Sequence, residues 1–203
     1  IKPLFPDKPA FSTPMLGEVE RCQKALELAA GGYSVAVVCS GDAGVYGMAG
    51  LVLELSGSYT GVEIKIIPGV TAALSGAGLL GAPLTHDFAV ISLSDLLTPW
   101  EVIEKRLACA AMGDFCIALY NPASKKRVNA LEKACDILLA HKPTETLCGI
   151  TQNIGREGES SSLLTLGELR NIKADMFTTV FIGNAQTREI NGKMVTPRGY
   201  DIG

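Results

Sequence analysis

Asp42 stands in a run of glycines. In the stretch VAVVCSGDAGVYGMAG, residues 35–50, glycine recurs at 41, 44, 47 and 50 just after a valine-rich run stops at Ser40. This spacing matches neither the Walker loop nor the dinucleotide fingerprint. One reading is a bare strand-to-helix turn in which glycine lets a helix pack closely on a sheet. The other is a cofactor loop at the carboxyl end of a parallel strand, where open α/β sheets bind ligands. A phosphate on such a loop would face the Asp42 carboxylate, costing about 1 kcal/mol at ~4 Å in water and about 4 kcal/mol nearer a protein surface. The loop also lacks the lysine of a phosphate cradle. A neutral or cationic ligand with ribose hydroxyls or an amino group suits it better, and S-adenosylmethionine (SAM) is one.

A second stretch, KIIPGVTAALSGAG, sets Pro68-Gly69 at a strand end, then Thr71 and a run of small residues. Thr71 there is either a helix cap or a ligand contact. The small residues leave room for a flat adenine against the backbone, and equally allow tight helix packing.

The elements that must carry these stretches follow from the periodicity. A helix is expected over 16–30, closed by Gly31-Gly32, then a buried strand in SVAVVCS and a helix in AGVYGMAGLVLELSG. The cycle repeats with strand VEIKIIPG and helix VTAALSGAGLLGA, strand DFAVISLSD and helix PWEVIEKRLACAAMG, strand DFCIALYNP and a helix over 126–140. Such alternation predicts parallel pairing through right-handed crossovers. After TLCGITQNIG the rhythm changes: SSSLLTL, TTVFIGN and TREINGKMV are strand-like, with a short helix over 166–170 and an Asn191-Gly192 hairpin turn. The expected fold class is α/β, with two lobes, mixed and largely parallel sheets, a cleft between the lobes and an antiparallel edge in the second. The boundary is placed in GAPLTHD, giving lobes 1–82 and 83–203.

Composition agrees. Of 203 residues 47% are hydrophobic and 19% charged, which suits a buried core and excludes a disordered chain. A net charge of −3 gives no general pull toward nucleic acid or anionic membranes. No apolar run reaches the roughly 18 residues of a membrane helix, and no signal-peptide pattern opens the chain. Six cysteines are scattered without a C-x-x-C pair, so no metal is expected on the chain itself. Reduced thiols without an export signal point to the cytoplasm.

Together, SGDAGVYGMAG, IPGVTAALSGAGLLGAPLTHDFAVISLSDLLTPWE, ALYNPASKKR and GITQNIGREGE resemble the tetrapyrrole methylases, the SAM-dependent enzymes of the cobalamin and sirohaem pathways. Within that family the resemblance is to the C-17 methyltransferases acting on precorrin-3B or cobalt-factor III, and it runs the length of the chain. Ala43 stands where most members carry the proline of a Gly-Asp-Pro motif, a replacement usual for the C-17 branch. The resemblance implies that Ser40, Gly41, Asp42 and Val45 touch the methionine part of SAM, that Thr71 and Ala72 form a further contact, and that Tyr120, Asn121 and Ile154 line the adenosine pocket. Thr178 and Thr179 would lie near the adenine, and Tyr46 near the substrate. It also implies a homodimer. One departure is that the family's opening strand and Gly-x-Gly-Pro-Gly loop match nothing here. About forty family residues ahead of IKPLFPDK are expected to be absent, leaving a neighbouring strand edge exposed.

The implied reaction is methyl transfer to C-17 of a tetrapyrrole with contraction of the ring, any cobalt belonging to the substrate. Contraction needs a general base. His86 is the first candidate, since it titrates near neutrality; Asp42 and Asp95 are alternates. His86 beside Asp87 reads equally as a structural hydrogen-bonding group, and Asp95 as a helix cap. The substrate's carboxylates require local cations, and Lys125, Lys126, Arg127 and Arg156 follow strand ends. The arginines suit best, because guanidinium binds carboxylate bidentately, although such a run also reads as a solvated first helical turn. Two alternatives stay open: another tetrapyrrole methylase step, or a nucleoside-binding module without catalysis.

Overall fold

The computed structural model describes residues 3–124 and 127–201. Lys125 and Lys126, expected near substrate carboxylates, lie outside the described residues. The chain divides into two compact units, residues 1–71 and 72–203. The division falls ahead of the expected boundary near Pro83, because the helix that precedes Pro83 packs on the second unit's sheet.

In the first unit α1 (Glu18–Ala30) and α2 (Ala49–Ser56) bury Cys22, Leu26 and Val52 against each other, with Val62 and Ile64 packed beside them. The apolar runs expected to be strands, SVAVVCS and VEIKIIPG, have no ladder partner among the described residues. Val38 is 51% exposed and Ile67 64% exposed. Apolar content marks a segment as able to pair, but a strand exists only where a neighbour takes its N–H and C=O groups. The helix expected from residue 43 starts at Ala49 instead, since Ala43–Met48 folds into bends closed by Ala49 N–H on the Ala43 carbonyl at 3.0 Å.

The second unit is mixed α/β with two sheets. α3 (Ala72–Leu80) leads to β1 (Gly81–Ala82), then β2 (Phe88–Ser92), α4 (Trp100–Met112), β3 (Cys116–Tyr120), α5 (Ala130–Leu139) and β4 (Leu147–Gln152). β5 (Ser160–Thr165), α6 (Leu166–Leu169), β6 (Thr178–Ile182), β7 (Arg188–Ile190) and β8 (Lys193–Val195) follow. The larger sheet has the order β2-β3-β6-β4-β5 and the smaller the order β1-β8-β7. Among the described residues parallel pairing is confined to β2–β3 and β1–β8; the other pairs are antiparallel. The hairpin turn forms where Asn-Gly predicts it, with positive φ at Asn191 (50°) and Gly192 (74°).

Two faces of the sheet are covered by different elements, and the strands alternate accordingly. Ile117, Leu119, Val180 and Ile182 point into a core with Ile103 and Leu107 of α4, Leu131 and Leu138 of α5, and Leu166 and Leu169 around α6. Ala118 and Phe181 point the other way, into a core with Ala73, Ala77 and Leu80 of α3. Burying each such leucine or isoleucine contributes about 1.5–3 kcal/mol. α3 lies close on the sheet because Gly76 carries no side chain: a Cβ there would stand 2.7 Å from Thr151 Oγ1 and 2.9 Å from the Phe181 ring.

Cys116, Cys135 and Cys148 are buried, and burial pushes the Cys135 thiol up to about 12 and the Cys148 thiol in the same direction.

Candidate functional site

In the first unit the site is built around Asp42. Its Oδ1 accepts the N–H of Gly44 at 2.8 Å and of Val45 at 3.1 Å, an Asx-type turn closing its own loop. Its Oδ2 accepts the N–H of Gly69 at 2.8 Å, twenty-seven residues on, and so ties the loop after SVAVVC to the loop after VEIKII. Gly69 permits this approach, since a Cβ at that position would lie 2.2 Å from the Gly41 carbonyl oxygen. Gly41 itself has φ 77°. Gly47 is needed as well, since a Cβ there would lie 2.5 Å from the Ala43 carbonyl oxygen and 2.6 Å from that of Asp42.

The N–H groups that a phosphate cradle would offer are already filled by the loop's own carboxylate, so the anion site is occupied internally. Between Lys24 and Lys105 the sequence supplies a single Lys or Arg, Lys65. The exposed backbone of Ser40 and Gly41 and the exposed ring of Tyr46, held at φ 52°, therefore suit an uncharged or cationic ligand.

The three N–H groups hold the Asp42 carboxyl below its usual range, the Gly69 bond first, then Gly44, against an opposing effect of desolvation, with Val45 last. A folded pKa below the unfolded value means that the tie's stabilisation is present above the unfolded pKa and lost as pH falls through the folded one. Amide proton shifts of Gly44 and Gly69 are therefore expected to titrate together, with a midpoint below about pH 4. Separate midpoints, or a common one above that value, would refute the shared carboxylate.

In the second unit, register brings one group of predicted residues to one end of the large sheet. Ser92 pairs with Tyr120, Thr179 with Thr151, and Thr178 with Gln152. Here the Tyr120 hydroxyl accepts the N–H of Ala73 at 2.6 Å, so it caps the first turn of α3. Asn121, at φ 53°, donates from Nδ2 to Ser92 Oγ at 2.9 Å. Asn153 repeats the left-handed step after β4, at φ 53°, and places half-buried Ile154 beyond it. Thr178 and Thr179 are both 5% exposed, and Thr178 donates to Asp175 Oδ1 at 2.8 Å while Gln152 donates to Asp175 Oδ2 at 2.9 Å. Nothing in the sequence singled out Asp175, Gln152 or Ser92, because each acts through partners on other strands.

Arg127 is committed within the fold. It donates from Nη1 to the Leu93 carbonyl at 2.8 Å and pairs from Nε with Asp95 Oδ1 at 3.1 Å. Thus Asp95 is held as half of an ion pair rather than as a helix cap, and α5 begins at Ala130. Arg156 keeps its guanidinium exposed over the Phe177 ring, 5.0 Å from its centroid.

His86 falls elsewhere. It precedes Phe88, at the end of β2 opposite Ser92, so about 13 Å of strand separates it from the Tyr120 group. It lines a cavity of about 180 Å³ with Asp87, Asp114, Phe115, Asn184 and Gln186. Its Nδ1 stands 3.6 Å from the Asp87 carboxylate but accepts the Asp87 N–H at 2.9 Å. His86 is thus bonded to its own neighbour in sequence, at the end of the sheet away from Tyr120. A larger cavity of about 370 Å³ beside β5 and the β7–β8 hairpin holds none of the predicted site residues.

With this geometry in view, likeness to known proteins can be read. A model of the family Tetrapyrrole (Corrin/Porphyrin) Methylases matches residues 2–170. The probable cobalt-factor III C(17)-methyltransferase of Salmonella typhimurium is 50% identical over 203 residues, covering 100% of this chain and 84% of that protein. The precorrin-3B C(17)-methyltransferase of a Sinorhizobium species is 43% identical over 206 residues, covering 97% and 81% respectively. Among solved structures, the methyltransferase CobJ superposes with a TM-score of 0.84 at 40% identity, covering 93% of this chain and 79% of that one.

Proposed function

Because this chain belongs to the tetrapyrrole (corrin/porphyrin) methylases, we propose that it transfers a methyl group from SAM to C-17 of a corrinoid precursor in cobalamin biosynthesis, with contraction of the ring. The observation that carries the reading is identity of 50% along the whole chain to a C-17 methyltransferase. The self-filled anion site of the Asp42 loop supports SAM over a phosphorylated nucleotide.

SAM supplies an electrophilic methyl on a sulfonium, already a good leaving group, so the protein contributes placement and exclusion of water. In this reading the Ser40–Gly41 backbone receives the methionine end with Val45 beside it, and Thr71 and Ala72 add a further contact. Tyr120, Asn121 and Ile154 hold the adenosine, with Thr178 and Thr179 behind. Asp42 acts by fixing loop geometry. For the base of the contraction step we take Asp95 rather than His86: Asp95 shares an end of the sheet with Tyr120, and its side chain is 43% exposed. Arg156 receives a substrate carboxylate, and Arg127 orients Asp95.

The proposed working form is a cytoplasmic homodimer. Six unpaired thiols suit a reducing compartment, and the dimer rests on the family resemblance. Sedimentation at micromolar concentration, expected to give twice the chain mass, tests the latter.

The deciding experiment incubates the protein with SAM and trimethylated substrate, with and without cobalt. The expected result is a pigment one methyl heavier, with S-adenosylhomocysteine released in equal amount. Binding of SAM without any transfer to either pigment would instead favour a nucleoside-binding module, and transfer to an earlier intermediate would favour another methylase step.

A further inference from the structure

Arg156 is a cation left without a carboxylate. Among the described residues it enters no ion pair, and its exposed guanidinium rests over the Phe177 ring, 5.0 Å from the centroid. Two neighbouring acids are committed elsewhere. Glu159 Oε2 accepts the Gly155 N–H at 2.6 Å, and the Asp175 carboxylate accepts bonds from Gln152, Phe177 and Thr178. Glu157, adjacent in sequence, makes no ion pair with it either. A guanidinium held on a ring still carries N–H donors in a fixed fork, which a carboxylate can take bidentately.

Phe177 is placed from both sides of its main chain. Its N–H donates to Asp175 Oδ1 at 2.9 Å, and its carbonyl accepts the N–H of Asn153 at 3.2 Å. Asp175 is itself fixed across the ladder, since Thr178 and Gln152, which donate to its two oxygens, are paired residues of β6 and β4. Arg156 lies in the turn that leaves β4, where its N–H returns to the Asn153 carbonyl at 2.9 Å and Asn153 (φ 53°) and Gly155 (φ 68°) bend the chain back. Asn153 thus holds Arg156 by its carbonyl and Phe177 by its N–H, which brings guanidinium and ring together. Burial does not explain the ring. Phe177 is 46% exposed, and among the described residues it joins none of the apolar cores.

We infer that Phe177 is a positioning residue for the tetrapyrrole substrate: its ring holds the Arg156 guanidinium where a carboxylate of the pigment is received. This rests on the function proposed above, in which Arg156 meets such a carboxylate, and it adds the residue that sets that arginine. An arginine side chain free in water gives up several rotors when it binds, and a ring that already restrains it lowers this entropic cost. Phe177 therefore acts on affinity for the pigment, through Arg156, and not on the methyl-transfer step.

The test is a double-mutant cycle on pigment affinity. Cobalt-factor III is titrated by calorimetry into the parent chain, F177L, R156A and F177L/R156A, with SAM affinity, kcat and thermal midpoint measured alongside. F177L removes the ring and keeps the main-chain bonds of residue 177. It is expected to raise the pigment Kd about two- to fivefold, with SAM Kd, kcat and Tm retained. F177Y, which keeps an aromatic face, is expected to bind as the parent does. In the R156A background F177L is expected to change nothing further, because the ring then has no guanidinium to hold. A rise of equal size in both backgrounds, or no rise in the parent background, overturns the positioning role, and the proposed function stands wherever methyl transfer proceeds. A parent chain that neither binds nor methylates the pigment overturns both.

Discussion

Gly69→Ala is expected to weaken SAM binding by about 10- to 100-fold, the equivalent of about 1–3 kcal/mol of overpacking. A Cβ at residue 69 would lie 2.2 Å from the Gly41 carbonyl oxygen and 3.4 Å from the Asp42 Cα. The first of these contacts is with backbone, so no side chain can swing aside and the two loops must part. Parting them also stretches the 2.8 Å bond from Gly69 N–H to the Asp42 carboxylate. The loss should appear as a raised Kd in calorimetry, with the second unit's unfolding unaltered because its core is separate. Gly44→Ala is the control: its Cβ would meet only Asp42 Oδ1 at 3.3 Å, a contact that a small shift relieves. Parent-like affinity in Gly69→Ala would mean that the close approach of the loops plays no part in binding.

Asp114→Ala is expected to cost about 3 kcal/mol of stability. Lys142 has a side chain only 4% exposed, with its ammonium 2.9 Å from Asp114 Oδ1. The same carboxylate accepts the N–H of Ala185 at 3.0 and 3.1 Å, joining the α4–β3 turn to the loop after β6. Removing it strands a buried positive charge and an amide. Because Asp114 is itself 48% exposed, water screens the pair. That keeps the cost at the lower end of the roughly 3–5 kcal/mol seen when a buried pair loses one partner. Asp114 also sits at φ 52°, a conformation that Asp and Asn tolerate better than Ala. Asp114→Asn should therefore lose less, and pairing Asp114→Ala with Lys142→Met should recover part of the loss. Urea unfolding of the four proteins gives the comparison, and an Asp114→Ala change under about 0.5 kcal/mol would show that Lys142 reaches water unaided.

Both effects turn on residues that sequence reasoning treated differently. Asp42 was singled out, but for the charge it would present to a ligand; its carboxylate is instead consumed by Gly44, Val45 and Gly69. Arg127, expected at substrate carboxylates, holds Asp95 and the Leu93 carbonyl. Nothing local distinguishes Asp114 and Lys142 until the fold brings them together across twenty-eight residues.

What the sequence determined by itself is what short-range patterns encode. The helices at 18–30, 72–80 and 100–112, the strands at 116–120 and 178–182, the Asn191-Gly192 turn and the family-bearing loop motifs all follow from periodicity, turn chemistry and spacing. The tertiary structure alone decided which strands find partners and in which direction, so that SVAVVCS pairs with nothing described while β3 pairs antiparallel to β6. It also decided which end of a strand a side chain reaches, separating His86 from Tyr120. The reason is physical: propensity and hydrophobic alternation act within a few residues, whereas a hydrogen-bond partner or an ion pair is set by chain segments that meet only on folding.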